Sequence, residues 1–131
     1  MKGGWWPVFP FEKLDIWQRS SDFADRVYDV VDAFPAKERF GLGLQLSRAA
    51  TSISANIAEG SSRISTRDFS RFVEIAYGSL CEVVSHLRIA KSRRLVTAER
   101  HQQLYLEADE LGRMLTGFRT SLGKWKTDPA E

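Results

Sequence analysis

At 131 residues the chain is long enough for one domain with a real hydrophobic core, without disulfide or metal staples. Hydrophobic residues at 43% and charged residues at 27% exclude wholesale disorder, and the net charge of +2 is modest. A single cysteine, Cys81, excludes an intrachain disulfide, and a lone thiol within a helical pattern reads as a small core residue in a reducing cytoplasm.

The N-terminal arm (residues 1–10) holds only Lys2 before Gly3-Gly4-Trp5-Trp6-Pro7, with no apolar run of signal-peptide type. No stretch approaches the roughly 20 apolar residues that span a bilayer, so a cytoplasmic protein without a membrane role is expected. The first helical pattern covers about residues 12–33, with Leu14, Trp17, Ser21, Ala24, Tyr28 and Val31 at alternating steps of three and four. Five aspartates take its other faces, and Phe34-Pro35 ends it, because the residue before proline is pushed out of helical geometry. A second helix is predicted over about 37–59, with Leu42, Leu46, Ala49, Ile53, Asn56 and Gly60 on its stripe, Ile57 beside them, and Gly60 also as a left-handed C-cap. Ser65 or Thr66 then caps a third helix over about 66–93, striped by Phe69, Phe72, Ala76, Ser79, Val83, Leu87 and Ala90. Thr97 caps a fourth, in which Leu104, Ala108, Leu111, Leu115, Phe118 and Leu122 keep the step. Short links between four seams of similar length predict an all-α fold, an antiparallel up-down four-helix bundle over residues 11–122 in a single domain, with residues 123–131 as a tail.

Some apolar residues are not needed by those seams. Phe40 and Leu44 lie one turn apart, off the Leu42–Leu46 stripe, and Ile75 and Tyr77 sit poorly for the third helix. With Trp5, Trp6, Val8, Phe9 and Phe11 of the arm they make more apolar surface than a small monomer exposes. Either the arm folds back over its own bundle, or Phe40, Leu44, Tyr77, Trp5 and Trp6 contribute to an interface between copies.

Catalytic chemistry is not expected. His86 and His101 read as surface-exposed or hydrogen-bonded residues, and Glu82 with His86 has the wrong spacing and no second copy for a di-iron site. No phosphate loop or nucleophile elbow is present, so neither a metal nor a cofactor is expected. Charge, by contrast, is unevenly placed. Residues 63–94 hold Arg63, Arg67, Arg71, Arg88, Lys91, Arg93 and Arg94 against three acidic groups, whereas the segments on either side are each net −1. This points to a basic patch on the third helix that binds RNA or DNA through phosphates. The alternative is a protein-interaction adaptor with no nucleic-acid role. Asn56 on an apolar seam needs hydrogen bonds, and Ser79 is its expected partner, with Glu59 or Glu82 closing a polar network that fixes register. Small residues at Gly78 and Ser79 are expected to allow close helix approach.

Several segments resemble one family: Phe11-Glu12-Lys13-Leu14-Asp15-Ile16-Trp17-Gln18, Phe34-Pro35-Ala36-Lys37-Glu38-Arg39-Phe40-Gly41-Leu42, Gln45-Leu46-Ser47-Arg48-Ala49-Ala50, Ser52-Ile53 with Ala55-Asn56-Ile57-Ala58-Glu59-Gly60, and Phe72-Val73-Glu74-Ile75-Ala76-Tyr77-Gly78-Ser79-Leu80-Cys81-Glu82. Over about residues 11–122 the chain is similar to the four-helix-bundle family also called the 23S rRNA intervening-sequence protein family. The resemblance implies a cytosolic bundle that assembles into a ring, a homopentamer. A related protein, the accessory variability determinant of diversity-generating retroelements, is a basic pentamer that binds nucleic acid and a reverse transcriptase. Tyr77 stands where the family often has a basic residue.

Overall fold

The computed structural model describes residues 8–124, and Trp5 and Trp6 lie outside them. The described residues form a short 3-10 turn (Pro10–Lys13) and five helices: α1 (Asp15–Asp32), α2 (Ala36–Arg39), α3 (Leu42–Ser61), α4 (Thr66–Ser92) and α5 (Ala98–Lys124). No strand occurs among them. The four long helices share one core. α3 packs against α1 and α4, and α5 packs against α4 and α1.

Local chemistry sets the ends. Ser65 Oγ accepts from the Asp68 amide at 3.1 Å to start α4, and Thr97 Oγ1 accepts from the Arg100 amide at 3.0 Å to start α5. Arg39 reaches back to the carbonyls of Asp32 and Phe34, which α1 leaves unpaired at its C-terminus. Arg94, with φ of 60°, takes the left-handed conformation that turns the chain out of α4. A forked pair from Arg26 to Glu107, with Nε 2.7 and 2.9 Å from the two carboxylate oxygens, ties α1 to α5.

Four expectations are corrected. The second predicted helix is interrupted at Phe40–Gly41, because Gly41 (φ −100°, ψ −106°) leaves the helical well before α3 begins. Gly60 is not a left-handed cap but a buried residue inside the last turn of α3. A Cβ there would lie 2.7 Å from Phe72 Cβ and 2.9 Å from Phe69 Cδ1, so the glycine is what lets α3 and α4 meet. Gly78, expected in that role, is exposed and has nothing within 4 Å of a built Cβ. In α1 the buried face is Ile16, Ser20, Phe23, Ala24, Val27, Val30 and Val31, one step round from the predicted stripe, and Tyr28 is exposed. Ser20 is satisfied there by donating to the Ile16 carbonyl.

The stripe of α5 is buried as expected at Leu104, Ala108, Leu111, Leu115 and Leu122. In α4 the core residues are Val73, Ala76, Leu80, Val83, Leu87 and Ala90, while Phe69, Phe72 and Ser79 are half-buried. Phe69 meets Phe118 edge-on at 5.2 Å, and Phe11 meets Trp17 at 5.0 Å, so the arm packs on α1 at Phe11. Phe9 remains exposed.

Candidate nucleic-acid interface

The seven cations fall into two groups near the two ends of α4. Along α4, at roughly 1.5 Å per residue, about 26 Å separates Arg71 from Arg88. At the N-terminal end Arg63 is committed: it pairs with Glu59 at 2.9 Å and lies over the Phe72 ring at 4.8 Å. Arg67 and Arg71 are exposed beside it. At the C-terminal end Arg88, Lys91, Arg93 and Arg94 are all exposed, and none forms an ion pair among the described residues. No single aromatic or acidic neighbour has already claimed their charges.

The expected polar network exists in a different form. Asn56 Nδ2 donates to the Ser52 carbonyl at 2.8 Å and to Ser52 Oγ at 3.0 Å, and Ser52 Oγ shares a hydrogen bond with Ser79 Oγ at 2.9 Å. Ser52, not Asn56, therefore reaches across to α4. The two carboxylates point elsewhere, Glu59 to Arg63 and Glu82 to His86 at 3.4 Å. The sequence reading missed the bridge because Asn56 was given the longer reach. Its amide is held instead by its own preceding turn.

Of the predicted interface residues, Phe40 is 85% exposed, and Leu44 and Tyr77 are also at the surface, as is Ile75. Tyr77 belongs to a feature that the sequence reading did not find. Between α4 and α5 runs a groove of about 600 Å³, walled by Tyr77, Cys81 and Val84 on one side and Tyr105, Ala108 and Gly112 on the other. Cys81, expected in the core, is exposed there. The available signal was the four-residue spacing of small side chains at Ala108, Gly112 and Thr116, which removes bulk from one line along α5. Asp109 and Arg113, 3.2 Å apart, stand on the rim.

His101 marks the end of this seam. It is 8% exposed, its Nδ1 has no hydrogen-bond partner among the described residues, and its ring stacks on Tyr105 at 6.2 Å. The expectation of an exposed or hydrogen-bonded side chain fails here because the residue sits one turn before Leu104 on the buried stripe. Burial lowers its pKa from the ordinary 6.5, and the nearby charges of Lys91 and Arg88 lower it further. His86 Nδ1 is likewise buried and unpartnered. No group of three His, Cys, Asp or Glu side chains suited to a metal ion occurs among the described residues. None of their helices is long and apolar enough to cross a membrane.

With this geometry in view, comparison with known proteins gives a family. The model of the 23S rRNA-intervening sequence protein family matches residues 12–117. The chain belongs to that family. Among solved structures it is similar to a protein of unknown function from the S23 ribosomal protein family of Bacteroides thetaiotaomicron, determined at 1.70 Å resolution. The two share 24% identity with a TM-score of 0.74, over 79% of this chain and 97% of the other, which is a likeness of fold. Among the curated proteins none matches. Family membership agrees with the resemblance drawn from the Asn56–Gly60 and Gly78–Glu82 segments, and it brings no established function with it.

Proposed function

We propose that the chain is a non-catalytic cytoplasmic scaffold that assembles with copies of itself and binds nucleic acid through the C-terminal end of α4. Its architecture is read as a single-domain, antiparallel, up-down four-helix bundle. Short links at 62–65 and 93–97 and the neighbour relations of α1, α3, α4 and α5 support that reading. A ring of copies, a pentamer by the family resemblance, would repeat each basic cluster and multiply its phosphate contacts. The observation that carries the nucleic-acid reading is the set of four exposed cations, Arg88, Lys91, Arg93 and Arg94, without an ion pair among the described residues. Lys91 and its neighbours also complement the negative end of the α4 dipole, which alone is worth roughly 0.3–1 kcal/mol per charge. Arg88 and Lys91 also stand one turn apart on one face of α4, a pairing that dipole complementation does not need.

The test is a fluorescence-anisotropy titration with single-stranded RNA, duplex RNA and duplex DNA at several salt concentrations. Binding that weakens steeply with salt, and disappears when the four residues are reversed to Glu, supports the reading. Absence of binding at low salt refutes it.

A second reading, a protein-interaction adaptor, is favoured by Phe40, which is 85% exposed at the α2–α3 corner, four residues before Leu44. Under that reading Phe40→Ser abolishes capture of a protein partner in a pull-down, and the charge reversals leave it intact.

A further inference from the structure

The α4 wall of the α4–α5 groove and the cations Arg88 and Lys91 lie along one face of α4. Tyr77 lies opposite Gly112, since a Cβ on that glycine would be 3.4 Å from Tyr77 Cε1. Tyr105 stands two turns away on α5, about 10 Å along the groove. On α4 the wall residues Tyr77, Cys81 and Val84 are followed on the same helical face by Arg88, one turn beyond Val84, and Lys91, two turns beyond it, both exposed. The order along the surface is therefore tyrosine, apolar floor, tyrosine, cations.

We propose that this groove takes the unpaired bases of single-stranded RNA, stacked on Tyr77 and Tyr105, with the adjoining phosphates held by Arg88 and Lys91. The proposal rests on the nucleic-acid reading above and names its substrate class.

Three features favour this occupant. The tyrosines are 44% and 48% exposed, so each offers ring surface that the core does not use. Base stacking on such rings is indifferent to sequence and is open only to bases not already stacked in a duplex. A groove of about 600 Å³ is of the size that holds compact organic groups, and its floor of Leu80, Ala108 and Gly112 is apolar. Charge is arranged to match, with unpaired cations at one end and Asp109 on the rim beside Arg113. A carboxylate is a poor neighbour for a phosphate but a good acceptor for a ribose 2′-hydroxyl, which distinguishes RNA from DNA.

The experiment compares a labelled oligouridylate, the same length of oligodeoxythymidylate and a duplex RNA, each titrated with wild type, Tyr77→Ala, Tyr105→Ala, the double variant and the two Tyr→Phe variants. Circular-dichroism melts check that each is folded. Each alanine is expected to weaken oligouridylate binding by about 5- to 150-fold, while phenylalanine, which keeps the ring, retains it. Duplex RNA is expected to bind more weakly and to be insensitive to both tyrosines. If wild type binds the oligouridylate and loses it on reversal of the four cations, yet the double alanine variant binds as wild type does, the groove assignment is overturned and the scaffold reading stands. If wild type binds no strand at all, both fall. Equal binding of oligodeoxythymidylate overturns the assignment to RNA. A change in assembly state by light scattering, with RNA affinity unchanged in the double variant, shows that a second copy occupies the groove, and that also overturns the proposal.

Discussion

Against α3, helix α4 is packed so closely that Gly60 has no room for a methyl group; against α5, the same helix leaves a groove lined by two half-exposed tyrosines. The first seam is held by interlocked side chains and by the Asn56–Ser52–Ser79 bridge. The second is held by its buried line of Leu80, Leu104, Leu111 and Leu115, and its outer edge is left open. One helix thus divides its circumference between cohesion and accessible surface. Substitutions of like size on the two sides should have opposite consequences.

The largest effect is expected at Gly60. Gly60→Ala forces a new methyl against Phe72 Cβ, which the backbone of α4 holds in place, and should lower stability by about 1–3 kcal/mol in denaturant unfolding. A neutral result would mean that the α3–α4 seam is looser than its geometry. Next, Ser52→Ala removes the atom that joins Asn56 to Ser79 and should cost about 1 kcal/mol. Asn56→Ala in the Ser52→Ala background should add little, because the two share one network. On the open side the sign reverses. Gly112→Ala places its methyl at ordinary contact distance, 3.4 Å from Tyr77 and 3.5 Å from Leu80, and should raise stability by about 0.5–1 kcal/mol through the reduced entropy of the unfolded chain. Destabilisation there would show that the groove floor is as tight as the other seam.

The smallest expected effect is a slope. His101 has a lowered pKa in the folded state, so the unfolded chain binds its proton more readily. Its contribution to stability is fully present above the ordinary value of 6.5 and declines as pH falls through the lowered native value. Unfolding free energies measured from pH 7.5 down to 5 should show this decline, and His101→Leu should flatten it.

What the sequence made legible depended on whether apolar residues had a rival frame. In α5 the run from Leu104 to Leu122 has little competition, and it is buried as its period predicts. In α1, Trp17 and Tyr28 compete with Ile16, Phe23 and Val27, and hydrophobicity alone chose the wrong face. The decisive residues were polar. Asp15, Asp22, Asp25, Asp29 and Asp32 share one face of a 3.6-residue helix, and the face opposite is Ile16, Ser20, Phe23 and Val27. For the site, charge composition identified the cations, and their sequence positions already assign them to opposite ends of a helix whose 27 residues span about 40 Å. The groove, by contrast, was hidden. It is a space, made by what Gly112 and Ala108 lack, and it exists only once α4 and α5 are side by side.

Cys81 gives that space a built-in reporter. As the only cysteine in the chain, exposed on the wall of the groove, it can be alkylated or fitted with a fluorophore at one known position without any substitution. An occupant that lies against the α4 wall between Tyr77 and Val84 covers that sulfur. The rate at which a maleimide consumes the thiol therefore measures occupancy directly, before the identity of the occupant is known.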